Sequence, residues 1–321
     1  MTKKVIFVAS SDWHLNKWPA FNENNRRMYY SLDQFRLISK VCRKYEVPHL
    51  FCADLIHKPK EIDNELNGKV GPFYQKYFED YHIPFIGIDG NHDMSHRNFI
   101  DKRSPTHLDR FKLFKTFHNI SFKSFEYKGT VIWGIPYLNN NIGFEDTVKK
   151  FRKQLDPNKR NILLIHTDLP GALDTNGREV NTADNISPRL NKLFKGFDIV
   201  LSGHIHKPQQ ISNKVWMLGA LQQQSRKDAG CEMGYWLIYE DNTVGFKPVT
   251  TYPQFKEYFK GEEKPDDFHY YDEVIPPTKD VEEEGNFSTK NSKASLVKKY
   301  MKISGIKSKS KKELLLNLLT D

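Results

Sequence analysis

Cysteine is scarce in this chain of 321 residues: only Cys42, Cys52 and Cys231 occur. An odd, unpatterned set of three excludes a disulfide framework and a thiolate metal site, and it suits reduced core thiols in a cytoplasmic protein. Long apolar runs are also missing. No stretch approaches the roughly 20 residues that a membrane-spanning helix requires, so no membrane role is expected. The opening Met1-Thr2-Lys3-Lys4 leads directly into Val5-Ile6-Phe7-Val8, which reads as a first strand and is too short for a signal peptide. No internal repeat is visible. Acidic residues are in deficit, 40 against 49 Lys and Arg, for a net charge of +9.

Hydrophobic residues make up 38% of the chain and aromatics 13%, enough for a substantial core. The charge is unevenly placed. Residues 256–285 hold 4 Lys against 11 acids, whereas 286–321 hold 9 Lys against 2 acids. These segments nearly cancel, so the excess positive charge lies in the first 255 residues, where it suits a polyanionic partner or an ordinary solvated surface.

Apolar patterning predicts a strand at 5–9, an amphipathic helix over 24–45 and a strand at 49–53. A helix at about 68–81 and a strand at 85–88 follow. This alternation is that of an α/β protein. The second half is richer in strands, at 130–135, 161–165, 197–201 and 214–218. A hairpin is expected at 234–239 and 243–249, turning at Asp241-Asn242. Pro276-Pro277 in the acidic stretch suggests a linker. In the basic tail, Leu296, Val297, Tyr300, Met301 and Ile303, then Leu314, Leu315, Leu316, Leu318 and Leu319, predict two short helices. They would form either a docked terminus or a partner-binding pair.

Five clusters carry the chemistry: Asp12-Trp13-His14, Asp54-Leu55-Ile56-His57, Gly90-Asn91-His92-Asp93, His166, and Gly203-His204-Ile205-His206. Four of them follow apolar runs that read as strands, and ligands in open α/β sheets gather beyond the carboxyl ends of strands. In extended chain, residues two apart point the same way, so Asp12 with His14, and His204 with His206, can each present two donors to one cavity. Imidazole, carboxylate and an amide oxygen suit Mn²⁺, Fe²⁺ or Zn²⁺. Asp54 is the natural bridge between two cations, and such a pair points to phosphoester hydrolysis. His92 can protonate a departing alkoxide, with Asp93 beside it to fix its tautomer. His49, His82, His96, His107, His118 and His269 lack such company and read as surface or core histidines.

The ordered clusters, across residues 5 to about 210, resemble the calcineurin-like metallophosphoesterase superfamily. Within it the chain is similar to SbcD/Mre-type DNA repair nuclease subunits of phage or bacterial form. Asp54-Leu55-Ile56-His57, the opening Asp12-Trp13-His14-Leu15, and Gly219-Ala220 with Gln222-Gln223-Gln224-Ser225 carry this narrower likeness. The resemblance implies a four-layer αββα sandwich with a small capping region and a C-terminal helical tail. Its nuclease core would span 1–210, the cap 211–260, an acidic linker 261–285 and a partner-docking tail 286–321.

It further implies two Mn²⁺ ions, one on Asp12, His14, Asp54 and His206 and the other on Asp54, Asn91, His166 and His204. His92 would be the proton donor and His57 would contact the phosphate. Ala53 departs from the usual glycine before the bridging aspartate and reads as a conservative change. The implied activity is that of a DNA exo- and endonuclease. The implied partners are DNA, a second copy in a homodimer and an SbcC-type coiled-coil ATPase. A phosphoesterase for small molecules or phosphoproteins using the same site, and a DNA-end-binding scaffold, are the alternatives.

Overall fold

The computed structural model describes residues 3–274 except 19, 22, 58–62, 95–105, 140, 181–189, 261, 265–266 and 268. The expected tail at 286–321 and most of the acidic linker lie outside the described residues. The chain divides into two compact units, Met1–Glu257 with Lys264–Asp272, and Tyr258–Glu263 with Glu273–Asp321. Both large sheets and all five clusters belong to the first unit.

In chain order its elements are β1 (Val5–Ser10), α1 (Arg26–Tyr45), β2 (His49–Phe51), α2 (Asn64–Tyr74), β3 (Phe85–Gly87), β4 (Phe117–Asn119), β5 (Lys123–Tyr127) and β6 (Thr130–Ile135). They continue with α3 (Asn141–Arg152), β7 (Arg160–His166), α4 (Leu190–Leu193), β8 (Ile199–Gly203), β9 (Gln209–Ser212), β10 (Val215–Met217), β11 (Gly234–Tyr239) and β12 (Val244–Pro248). One sheet runs β12-β11-β1-β2-β3-β4 and the other β5-β6-β7-β8-β10-β9. β1, β2, β3 and β4 are mutually parallel, as are β6, β7, β8 and β10.

Three apolar layers give the αββα order. Strands buried on both faces need apolar residues at successive positions, which explains their continuous runs. In β7, Ile162 and Leu164 face the other sheet while Leu163 and Ile165 face the helices. In β1 the register slips between Val5 and Phe7, so Val5 and Val8 share the helix side while Phe7 and Ala9 point between the sheets. α1 buries Met28, Leu32, Phe35, Ile38 and Cys42 along one stripe and ends at Glu46 in a left-handed turn. Among the described residues no helix is long and apolar enough to cross a membrane.

Two expectations are corrected. The helix predicted at 68–81 starts earlier, at Asn64, because the Asp63 carboxylate accepts from the backbone N–H of Glu65 and Leu66 as an N-cap. It gives way to a π-helical turn at Gln75–Glu79. The break expected at residue 210 does not divide the structure: β10 pairs with β8, and β11 lies between β1 and β12. Residues 211–248 therefore complete the two sheets rather than form a separate cap.

His49 sits fully buried on the helix side of β2, against the rings of Trp13 and Phe85. Its Nε2 pairs with Ser10 Oγ at 2.9 Å, while Nδ1 has no partner among the described residues. Burial therefore depresses its pKa to about 3, against about 6.5 in an unfolded chain. Between these values the unfolded state binds the extra proton, so this group lowers stability as pH falls, by about 1.4 kcal/mol per unit. Urea unfolding of wild type and His49→Gln between pH 4 and 6 should show the variant losing stability less steeply. Equal slopes would contradict this assignment.

Candidate metal centre

Every cluster sits at the carboxyl end of a strand. Asp12 and His14 follow β1, Asp54 and His57 follow β2, and Asn91 and His92 follow β3. His166 ends β7, and His204 and His206 follow β8. The first three strands belong to one sheet and the last two to the other, so the donors meet where both sheets end. The β1 and β2 loops stay zipped past their strands through Asp12 N–H to Ala53 O (3.0 Å), His14 N–H to Asp54 O (3.0 Å) and Leu15 N–H to Leu55 O (2.7 Å).

This tight path holds non-glycine residues in the left-handed region, Asp12 (φ 52°), His14 (43°), Ala53 (79°) and Asp54 (56°), and His204 after β8 shares it (89°). Each such residue costs about 1–2 kcal/mol, and strain of this kind collects at functional sites. Ala53 is thus not a neutral stand-in for glycine, since it holds a conformation that glycine adopts freely.

Two donor groups can each hold a cation: Asp12, His14 and His206, and Asp54, His166 and His204, with ligand atoms in each lying within 4.8 Å of one another. Asn91 Oδ1 joins the second group, 3.1 Å from both His166 Nε2 and His204 Nδ1, which are 3.3 Å apart. Donors about 2.1 Å from a shared ion, set at about 90–109°, stand about 3.0–3.4 Å from each other. The triangle therefore fits a cation. Asp54 Oδ2 lies 3.2 Å from His166 Nε2 and 3.6 Å from His14 Nε2, between the two groups. That is the place a bridging carboxylate must occupy.

The outer nitrogen of each imidazole faces a possible acceptor, the arrangement common in metal-binding histidines. His166 Nδ1 donates to Cys52 O at 2.7 Å. His204 Nε2 faces Asp168 Oδ1 at 3.3 Å and His206 Nδ1 faces Asp228 Oδ1 at 3.5 Å. His14 Nδ1 lies 3.4 Å from His57 Nδ1. Asp168 and Asp228 were missed by sequence reading. Asp228 had a signal, since Ser225-Arg226-Lys227-Asp228 has the spacing of a capping box and forms one.

The electrostatics agree. Burial would raise the Asp54 carboxyl, but His166 and His14 hold it far below the usual carboxylate range. Burial lowers His166, yet the Asp54 and Asp12 carboxylates outweigh it and lift the imidazole to about 9. His204 is held down by burial and by the neighbouring His166 charge.

His92 donates from Nδ1 to the His57 carbonyl at 2.5 Å, and its backbone N–H donates to Asp54 Oδ1 at 2.9 Å. The first bond fixes the tautomer and leaves Nε2 for proton exchange. The rings of His57 and His92 stack at 5.4 Å with an interplanar angle of 14°. With His14 they form a third group of close nitrogens.

Asp93 does not pair with the His92 ring as expected. Its Oδ2 accepts from the backbone N–H of Asp54 (2.8 Å) and Gly90 (3.0 Å), and its Oδ1 from Leu55 (2.8 Å) and Ile56 (3.2 Å). The turn at 90–93 points this carboxylate back beneath Asp54. It shapes the Asp54 loop, and the His57 carbonyl orients His92.

The sequence profile of the calcineurin-like phosphoesterases matches residues 6–208. Among solved structures, a dimetal phosphatase from Danio rerio is similar at 8% sequence identity with a TM-score of 0.48, over 74% of this chain and 93% of that one.

Proposed function

The chain belongs to the calcineurin-like phosphoesterase family, and we propose that it is a Mn²⁺-dependent DNA nuclease of the SbcD/Mre type. The observation that carries this reading is the His57–His92 pair beside the bridging Asp54. A phosphodiester must expel a sugar alkoxide, which needs a proton, and His92 Nε2 is oriented to supply one. His57, three residues after Asp54, adds a second imidazole at the same edge, as in the nucleases that the sequence resembles. The positive charge of the first 255 residues favours a polyanion over a small monoester.

In this reading Asp12, His14, Asp54 and His206 hold one Mn²⁺, and Asp54, Asn91, His166 and His204 the other. Such a pair supplies Lewis acidity to the phosphoryl group and acidifies an attacking water. The chain's own part is positional. The buried carboxylates hold their charge, the engaged outer nitrogens fix the imidazole planes, and the His57 carbonyl keeps His92 aimed. The proposal includes a homodimer and an SbcC-type ATPase docked on the 286–321 segment.

With Mn²⁺ the protein is expected to hydrolyse bis-p-nitrophenyl phosphate and to shorten linear duplex DNA. His92→Gln should lower DNA cleavage by about 10²–10⁴-fold and hydrolysis of the nitrophenyl diester far less, since nitrophenolate leaves without a proton, while Mn²⁺ binding is retained. Cleavage of the small diester with no shortening of duplex, with or without the ATPase, would instead favour a small-molecule or phosphoprotein phosphoesterase. An unchanged rate on DNA in His92→Gln would move the proton donor elsewhere.

A further inference from the structure

Gln222, Gln223 and Gln224 have no part in the chemistry above, yet with Asp228 they are unusually buried for polar side chains. Gln222, Gln223 and Gln224 are 8%, 6% and 4% exposed, and Asp228 is 2% exposed. Buried amides and carboxylates are costly unless each finds a partner, and here they do. Gln222 Nε2 reaches Ser31 Oγ, and Gln223 Oε1 accepts from Phe255 N–H at 2.7 Å.

The two members nearest the metal centre point at it. Gln224 Nε2 donates to the Asp12 carbonyl at 2.7 Å. Asp228 turns Oδ1 to His206 Nδ1 at 3.5 Å, while its Oδ2 accepts from the backbone N–H of Gln224 (2.9 Å) and Ser225 (3.0 Å). The segment is itself anchored, because the buried Arg27 guanidinium donates to the Gln224 carbonyl at 2.8 Å. Arg27 also lies over the Trp18 ring, 4.8 Å from its centroid.

We propose that Gln224 and Asp228 form a brace that sets how tightly the Asp12, His14 and His206 group grips its cation. Both are positioning residues: Gln224 fixes the left-handed loop that carries Asp12, and Asp228 fixes the ring plane of His206 and strengthens it as a donor. The brace is directed to one cation only. His204, in the other group, is backed by Asp168, whose side chain is 22% exposed against 3% for Asp228. A carboxylate shielded from water acts more strongly on its neighbour. The inference rests on the two-metal reading.

Titration of the full-length protein with Mn²⁺ alone, followed by calorimetry and by electron paramagnetic resonance, tests it. Wild type should take up two ions and show a spin-coupled pair. In Asp228→Asn, one binding step should weaken by about 10–100-fold, the other should hold, and the coupled signal should give way to that of single ions at limiting Mn²⁺. Should Asp228→Asn not fold, Gln224→Met, which keeps Asp228, is expected to weaken the same step. Two unaltered steps and an unaltered coupled signal in a folded variant would overturn the brace alone. A wild type that binds no Mn²⁺ would overturn the two-metal reading and the brace with it.

Discussion

Gly203→Ala is expected to abolish metal-dependent hydrolysis and to destabilise the fold by about 3 kcal/mol or more. A Cβ at this position would lie 2.1 Å from Ser11 Oγ, 2.3 Å from Cys52 O and 2.7 Å from His166 Nδ1. Overpacking of a tight core typically costs about 1–3 kcal/mol, and here the obstruction includes a backbone carbonyl that cannot rotate away. The methyl group would enter the bond network in which Cys52 O accepts from both Ser11 Oγ and His166 Nδ1. Displacing the second bond lets the His166 ring turn, so a cation proposed to sit on Asp54, His166 and His204 should be lost first. Gly68→Ala in α2 is the control. Nothing lies within 4 Å of its added carbon, and an alanine in a helix is favoured by about 0.5–1 kcal/mol. Thermal melts and Mn²⁺ stoichiometry of the two variants should diverge in sign. A Gly203→Ala protein as stable and as metal-loaded as wild type would show that the approach of β7 and β8 is looser than described.

Asp93→Ala should be nearly as damaging, through the fold before the chemistry. Removing the carboxylate strands the N–H groups of Asp54, Leu55, Ile56 and Gly90, all within 3.2 Å of it. Buried donors left unpaired cost about 1–3 kcal/mol each. With partial rescue by water, a total of about 3–5 kcal/mol is expected, a large part of a domain's stability. The Asp54 loop should then relax from its left-handed turn, and the bridging oxygen would move off both donor groups. Denaturant unfolding in chelator, with no metal or substrate present, separates the two roles that Asp93 could have. A residue acting only on His92 would leave that transition untouched; the cradle of amides predicts a clear fall in midpoint.

Much of this site was legible in the sequence because its donors are placed by local rules. An apolar strand ends, the next residues must leave the sheet, and alternation aims Asp12 with His14, or His204 with His206, into one cleft. The helix over 26–45 was equally plain from its stripe of Met28, Leu32, Phe35 and Ile38. What stayed hidden depends on partners remote in the chain. Asp93 neighbours His92 in sequence, yet its oxygens serve amides up to 39 positions away. Asp228 backs His206 only because β10 and β11 fold into the two sheets, which reading 211–260 as a separate cap concealed. Gly90 and Gly203 are both needed for close approach: a Cβ on Gly90 would lie 2.0 Å from Asp54 Oδ1. β4, β5 and β9 were missed because they are short or only partly buried edge strands, in which polar residues blur the pattern.

The position of β11 has a consequence for the order in which the protein is made. β1 leaves the ribosome long before β11, yet it is paired on one side by β2 and on the other by Gly234–Tyr239. At about 5–20 residues per second, roughly 10 s or more separate the emergence of β1 from that of its second neighbour. Until then an apolar strand presents an open edge, a template for wrong pairing. The loop bearing Asp12 also lacks Gln224, so the nascent chain holds most of its ligands well before it can hold them in place. The metal centre is thus completed late, once β11 closes the sheet beside β1.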